Sequence, residues 1–296
     1  MFCRFTHSQG LVSNQGNRLT RSLLVGAIAF GATVVPLGLS SPAGASSPII
    51  SVGIMPFAVA VNPLTNTVYV ANAFGNSVSV IDGSTNTVTS TISVGTHPRG
   101  VAVNPSTNAI YVTNQGGNSV SVINGSTNTV TSTISVGNQP FGVAVNPLTN
   151  TVYVSSSSRK SVSVINGSTN TVTTTVTVGT HPSAVAINPS TNTVYVTNQG
   201  RNSVSVINGS TNIVTSTVSV RRNPSGVAVN PSTNTIYVAN LNSNSLSVIN
   251  GSTNTVADTV SVGTNPYAVA VNPSTNTVYV TNSSGNSVSV INGSTS

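Results

Sequence analysis

Few side chains in this sequence could carry out acid, base or metal chemistry. Beyond residue 45 the chain has two histidines, His97 and His181, two carboxylates, Asp82 and Asp258, and no glutamate. A zinc-type site needs three or four ligands close together, and neither histidine has a cysteine or carboxylate beside it in the sequence. Two separated aspartates also do not make the carboxylate pair of a glycosidase. We therefore expect no metal, no cofactor and no catalytic residue, and we interpret both histidines as solvated.

These residues are set in a repeat of 42 residues. Each unit contains four runs rich in Val, Ile, Thr and Tyr, separated by an NPSTN-type turn, a polar loop, an NGSTN-type turn and a VG-x-x-P corner. Runs such as SVSV alternate with period two, as half-buried strands do. Four strands in about 40 residues are typical of a β-propeller blade. The unit starts are marked by prolines: Pro56, Pro98, Pro140, Pro182, Pro224 and Pro266.

The repeats predict an all-β fold, a six-bladed β-propeller of four-stranded antiparallel blades. A β-solenoid is the alternative, although its coils are usually shorter. The sixth unit stops before its fourth strand, whereas residues 49–53 (IISVG) match residues 91–95 (TISVG) of the first unit by position. We expect residues 49–53 to supply the outer strand of the last blade and so to close the ring, covering an exposed sheet edge.

One recurring motif carries a resemblance to a known family. YVTN stands at 111–114, 195–198 and 279–282, YVAN at 69–72 and 237–240, and YVSS at 153–156, with VIDGSTNTV or VINGSTNTV segments close behind. The chain from residue 49 to 296 resembles the YVTN β-propeller repeat family of prokaryotic surface-layer, secreted and periplasmic proteins. The resemblance implies a propeller at the cell envelope. Many members of that family are seven-bladed, whereas six units are present here.

The first 45 residues have the order of a secretory signal peptide. Basic residues extend to Arg21, an apolar run covers residues 23–39, and the small residues Ala43-Gly44-Ala45 follow. An uncleaved anchor is the alternative, but the run is shorter than the roughly 20 residues that span a bilayer. We expect residues 46–296 to be a single exported propeller domain, secreted, on the cell surface or periplasmic, with no transmembrane segment after cleavage. The lone cysteine, Cys3, falls within the signal.

The charge of the exported part is small. Six cationic side chains and two aspartates remain beyond residue 45, a net charge of +4. Nucleic-acid binding needs clustered phosphate contacts, so we expect no nucleic-acid partner. The pair Arg221-Arg222 replaces Gly-Thr in one corner, and we interpret it as a solvated corner or as a contact for an anionic ligand.

The units agree in one set of connections and differ in the other. The NPSTN and NGSTN turns are almost unchanged, whereas the corners and the second-to-third loops vary. In an up-and-down blade these two sets lie on opposite faces. We expect the corner residues on either side of each proline to ring the channel mouth and to bind a ligand, because loops carry recognition. The predicted binding residues are Phe57, Arg99, Phe141, Tyr267, His97, His181 and Arg201.

The function predicted from these features is a monomeric binding scaffold for a protein or glycan partner at the cell envelope. Three alternatives stay open from the sequence. The variable loops could reflect drift without function. An enzyme of the lyase or hydrolase type could use the channel mouth. The repeats could also tile laterally as a purely structural envelope protein.

We predict cleavage of the signal peptide after Ala45, because the small-residue site follows the apolar run directly. Mass spectrometry of the protein from its native host should find Ser46 as the first residue. Recovery of a mature species that retains residues 23–39 would contradict this prediction.

Overall fold

The computed structural model describes residues 49–294, which form six antiparallel sheets arranged as the blades of a propeller. The predicted all-β, six-bladed architecture is confirmed, and the solenoid alternative is wrong. Within the described residues the helical content consists of two 3-10 helices, Gln199–Arg201 and Leu241–Ser243. The predicted signal peptide lies outside the described residues.

Each blade runs up and down from an innermost first strand to an outer last strand. The first blade has β1 (Pro56–Asn62), β2 (Thr67–Asn72), β3 (Ser77–Asp82) and β4 (Thr87–Ser93). The second has β5 (Pro98–Asn104), β6 (Ala109–Asn114), β7 (Ser119–Asn124) and β8 (Thr129–Ser135). The third has β9 (Pro140–Asn146), β10 (Thr151–Ser156), β11 (Ser161–Asn166) and β12 (Thr171–Thr177).

The remaining blades follow the same plan. The fourth has β13 (Pro182–Asn188), β14 (Thr193–Asn198), β15 (Ser203–Asn208) and β16 (Ile213–Ser219). The fifth has β17 (Pro224–Asn230), β18 (Thr235–Asn240), β19 (Ser245–Asn250) and β20 (Thr255–Ser261). The sixth has β21 (Pro266–Asn272), β22 (Thr277–Asn282) and β23 (Ser287–Asn292).

Apolar side chains on both faces of the sheets form the core. Successive blades stack face to face, and five apolar clusters fill the five spaces between the first and the sixth blade. In the second space, Tyr111 and Val122 of one blade pack with Val145 and Val152 of the next. Burial of both faces explains why the strands of the inner three positions are rich in Val and Ile, since polar residues there would lose their hydration.

Three of the four residues of the YVTN motif make contacts that stabilise the propeller. Its tyrosine is fully buried between blades in the first five units, and the hydroxyl of Tyr153 reaches the next blade and donates to Gly209 O at 3.3 Å. The threonine hydroxyl of Thr113 accepts from Gly100 N at 2.7 Å and donates to Phe141 O of the next blade at 2.8 Å. The buried amide of Asn114 donates to two serine hydroxyls of its own blade. The motif therefore links strands within a blade and blades to each other.

A second link between blades lies on the side of the NPSTN and NGSTN turns. The buried amide of Asn62 donates to Asn108 Oδ1 of the next blade at 2.7 Å. The same bond recurs at the four following spaces, with lengths of 2.7 or 2.8 Å. A hydrogen bond formed by a buried amide fixes the relative position of the two blades, because leaving that amide unpaired costs about 1–3 kcal/mol.

The predicted closing strand is wrong. Residues 49–52 belong to no strand, Ile49 is 88% exposed, and the sixth sheet has three strands in the described residues. The corner that precedes Pro56 is held on the first blade, where Ala73 N donates to Met55 O at 2.8 Å. Within residues 49–294 the first and sixth blades do not pack together as the other neighbours do. The corner therefore does not carry the preceding residues to the edge of β23.

The space between the sixth and the first blade consequently leaves apolar side chains uncovered. Val288 and Val290 of β23 are 50% and 64% exposed, and Val61 of β1 is 37% exposed. Tyr279 is half-buried, although the tyrosines at its equivalent positions are fully buried. We refer to this space as the seam.

The seam predicts different effects for two equivalent substitutions. Val206→Ala removes methyl groups from a side chain that is 1% exposed, so it should lower the free energy of unfolding by about 1–3 kcal/mol. Val290→Ala, at the same position two units later, should change it by less than about 0.5 kcal/mol. Urea unfolding followed by circular dichroism measures both, and equal losses would show that the seam is closed in solution.

Candidate functional site

The two ends of the propeller are built from different connections. The NPSTN and NGSTN turns form one end, which we call the turn face. The blade-joining corners and the second-to-third loops form the other, which we call the corner face. Corner and loop are joined by backbone hydrogen bonds, as where Gln115 N donates to His97 O at 2.9 Å. The corner face therefore places variable side chains on a fixed backbone.

The central channel opens on the corner face and is narrow. Glycine, alanine, serine and valine residues of the first strands, together with Phe141 and Tyr267, surround a cavity of about 30 Å³, which holds no more than a few water molecules. Glycine permits the close approach of neighbouring first strands, since a Cβ at Gly100 would lie 2.5 Å from Phe141 O and one at Gly226 2.5 Å from Tyr267 O. A ligand of ordinary size would bind at the mouth and not inside the channel.

Four side chains from different blades come close together at the channel mouth, and we call them the channel cluster: Phe57, Arg99, Phe141 and Tyr267. The guanidinium carbon of Arg99 lies 4.3 Å from the ring centroid of Phe57, within the range of a cation–π interaction. The rings of Phe57 and Phe141 meet edge to face, with centroids 5.9 Å apart and planes at 85°. Arg99 Nε also donates to Gln115 Oε1 at 2.9 Å.

The electrostatics of the cluster depend on one charge. Burial raises the pKa of Tyr267 above its usual value of 10, and the nearby Arg99 guanidinium partly offsets that rise. The phenol is therefore neutral at physiological pH, whereas the guanidinium is always charged. The cluster combines a fixed positive charge with aromatic surfaces, which suits the binding of a ligand that has both apolar and anionic or polar groups.

The members of the channel cluster differ in how exposed they are to solvent. Arg99, Phe141 and Tyr267 are half-buried, whereas Phe57 is only 2% exposed. Phe57 therefore lies beneath Arg99 and orients it, and the other three side chains are the ones that a ligand can contact.

The three other predicted binding residues lie away from the channel. His97 contacts the ring of Phe74, with centroids 5.6 Å apart. His181 lines a groove between the fourth and fifth blades, and Arg201 lines one between the third and fourth. The prediction that every corner residue rings the channel mouth is wrong for those that precede the prolines. These residues have left-handed backbone angles, with φ of 50° at His97 and 51° at His181, and lie beside the second-to-third loops.

Residues with left-handed backbone angles occur at every type of connection, and their residue types differ between the two faces. Within residues 49–294, all eleven non-glycine residues of this kind on the turn face are asparagine, the residue type that adopts the conformation most readily after glycine. On the corner face five of twelve are other residues: Met55, His97, Gln139, Lys160 and His181. Met55 and Gln139 belong to the predicted corner residues and Lys160 to the predicted variable loops, and each departs from an asparagine in an equivalent unit.

Two further observations concern metals and membranes. In residues 49–294 no three His, Cys, Asp or Glu side chains are close enough together to hold a metal ion. Among the same residues no helix has the length and apolar character that crossing a bilayer requires.

Comparison with known proteins identifies the fold alone. No protein-family model and no curated protein matches the sequence. Among solved structures, a chain of Hydrazine Synthase from Kuenenia stuttgartiensis is similar, with a TM-score of 0.58 and 18% sequence identity. The similarity covers 86% of this chain and 99% of that one. At this level of identity it supports the propeller architecture and says nothing about activity.

Proposed function

We propose that this protein is an exported binding scaffold of the YVTN-repeat type, secreted, on the cell surface or periplasmic. It recognises a protein or glycan partner at the cell envelope through its corner face. One observation carries the proposal: residues that tolerate the left-handed conformation less well than asparagine occur on the corner face and on no turn-face position. Strained backbone positions of this kind are typical of functional sites.

The argument against simple drift is energetic. On the turn face the left-handed asparagines are held by side-chain hydrogen bonds between blades, as Asn108 is by the amide of Asn62, so variation there is restricted. On the corner face, drift alone would be expected to retain residues that adopt this conformation easily. A methionine, glutamine or lysine in this conformation is uncommon and costs on the order of 1 kcal/mol. Such costs accumulate on one face when the side chains there serve another purpose.

The role we propose for the channel cluster is binding and not catalysis. A general acid or base works best when its pKa lies near the operating pH. Burial moves the pKa of Tyr267 further from neutrality, and a guanidinium group does not lose its proton in proteins. Aromatic and arginine side chains are instead the types that dominate binding energy at interfaces.

The outer strands support a monomer rather than a laterally tiled repeat protein. In each of the five four-stranded blades the outer strand has a bulge opposite the third strand. In the first blade the extra residue is Thr89, whose hydroxyl donates to Val80 O at 3.3 Å. Bulges twist an edge strand and hinder its pairing with another sheet.

The test is binding of the mature protein to a washed envelope fraction, measured by sedimentation over a range of protein concentrations. The variant Arg99→Ala/Phe141→Ala/Tyr267→Ala should weaken binding about tenfold or more, since each anchor typically contributes 1 kcal/mol or above. Its melting temperature should be measured alongside, so that loss of binding is not mistaken for unfolding.

The matched control changes exposed apolar residues of the turn face. Leu64 and Leu148 are 63% and 74% exposed there, so Leu64→Ala/Leu148→Ala should bind as the unmodified protein does. If the control loses binding while the triple variant keeps it, the turn face is the recognition surface and the proposal is wrong.

A further inference from the structure

The positive charge of the described residues lies on one face. Arg159 and Lys160 are in the loop after β10, Arg201 is in the 3-10 helix after β14, and Arg221 and Arg222 are in the corner before β17. We call these five side chains the basic arc. The remaining cation, Arg99, is at the channel mouth of the same face. Of the two carboxylates in residues 49–294, Asp82 is on the turn face and Asp258 is within β20.

Two neighbouring grooves lie along the basic arc. The first, of about 460 Å³, is between the third and fourth blades and is lined by Lys160 and Arg201 together with threonines and serines. The second, of about 410 Å³, is between the fourth and fifth blades and is lined by Arg222 and His181 with asparagine and glutamine amides. Arg201 connects them, because its neighbours in the chain, Gly200 and Asn202, line the second groove.

Lys160 occupies a position where the fold favours asparagine. The five equivalent residues of the other blades are asparagines with φ between 46° and 50°. Four of them also accept a hydrogen bond from the backbone of the following corner, as Asn118 Oδ1 does from Gln139 N at 2.9 Å. Lys160 has a φ of 54° and an ammonium group that cannot accept such a bond. Lysine at this position therefore stabilises the loop less than asparagine would.

Arg221 occupies a position where the other five corners have glycine. In those corners an added Cβ would come within van der Waals overlap of a buried side chain, as at Gly263, where it would lie 2.5 Å from Asn282 Nδ2. Arg221 must place its Cβ in that crowded space, so it too is a poor choice for folding. Two cations that oppose local structural preference, in adjacent blade junctions, indicate selection for charge.

We propose that the grooves of the basic arc bind an anionic polysaccharide. Arginine and lysine pair with its carboxylate or sulfate groups, while the hydroxyls and amides of the grooves bond to sugar hydroxyls. No phenylalanine, tyrosine or tryptophan side chain lines either groove, whereas non-specific binding of single-stranded nucleic acid relies on aromatic stacking platforms. This inference rests on the proposed function and names the chemistry of one partner class for the corner face.

The decisive variant restores the residues that the other units use. Lys160→Asn/Arg201→Gly/Arg221→Gly/Arg222→Thr removes four cations and returns each position to a residue found in equivalent units. Binding to polygalacturonate and to heparin, which supply carboxylates and sulfates respectively, is measured by biolayer interferometry, with neutral dextran and oligo-dT as comparisons. The unmodified protein should bind one or both acidic polysaccharides more weakly as salt rises and should not bind dextran.

We expect the restored variant to bind the acidic polysaccharides about tenfold or more weakly, with an unchanged or higher melting temperature. A charge control adds four turn-face substitutions to the restored variant: Ser106→Lys, Ser190→Lys, Ser232→Lys and Ser274→Lys. These serines are exposed and occupy positions where two other units have leucine. This control has the original net charge, and binding should stay lost.

Three results would overturn the inference. The restored variant could bind as tightly as the unmodified protein, the turn-face lysines could restore binding, or oligo-dT could bind more tightly than either polysaccharide. The last result would identify a nucleic-acid surface. This test can be distinguished from the test of the proposed function, because Arg99→Ala/Phe141→Ala/Tyr267→Ala leaves the basic arc intact. Envelope binding can therefore fail independently of polysaccharide binding.

Discussion

The contact between one blade and the next is the constraint on which the rest of this protein depends. The inner sheets bury apolar side chains on both faces. The five spaces between the first and the sixth blade are each held by an asparagine amide on the turn face, and four of them also by a hydroxyl near the corner face. The bond from Asn62 to Asn108 and the bond from Thr113 to Phe141 O are representative. Because the asparagine bond recurs in all five of these spaces, the turn face has little freedom to vary, and variation is confined to the connections at the opposite end.

Much of this could be predicted from the sequence because the repeat compares the chain with itself. The strands, their order and the number of blades followed from the 42-residue period and from the Val, Ile, Thr and Tyr runs. The predicted role of residues 49–53 failed because similarity in sequence shows which strand a segment resembles, not whether two distant blades meet. At the site, Phe57, Arg99, Phe141 and Tyr267 converge as expected. His97 and His181 do not, because their left-handed backbone directs them toward the loops.

The corner face departs from the repeat in two distinct ways. At the channel mouth, Arg99 is fixed by Phe57 and Gln115, which gives a rigid recognition group. Along the third to fifth blades, Lys160 and Arg221 take positions that suit asparagine and glycine, which places charge beside two open grooves. A rigid anchor and a flanking basic arc on one surface fit an extended envelope partner better than a small substrate, since the channel itself is almost filled.

Amide hydrogen exchange of the mature protein, with and without its envelope partner, tests the central claim that the corner face recognises and the turn face supports. Partner binding should slow exchange in the corner and loop segments around residues 97–101, 139–143, 157–160, 199–202 and 220–224. Peptides that cover the NPSTN and NGSTN turns should exchange at unchanged rates. Protection confined to those turns, with the corner segments unaffected, would contradict the account.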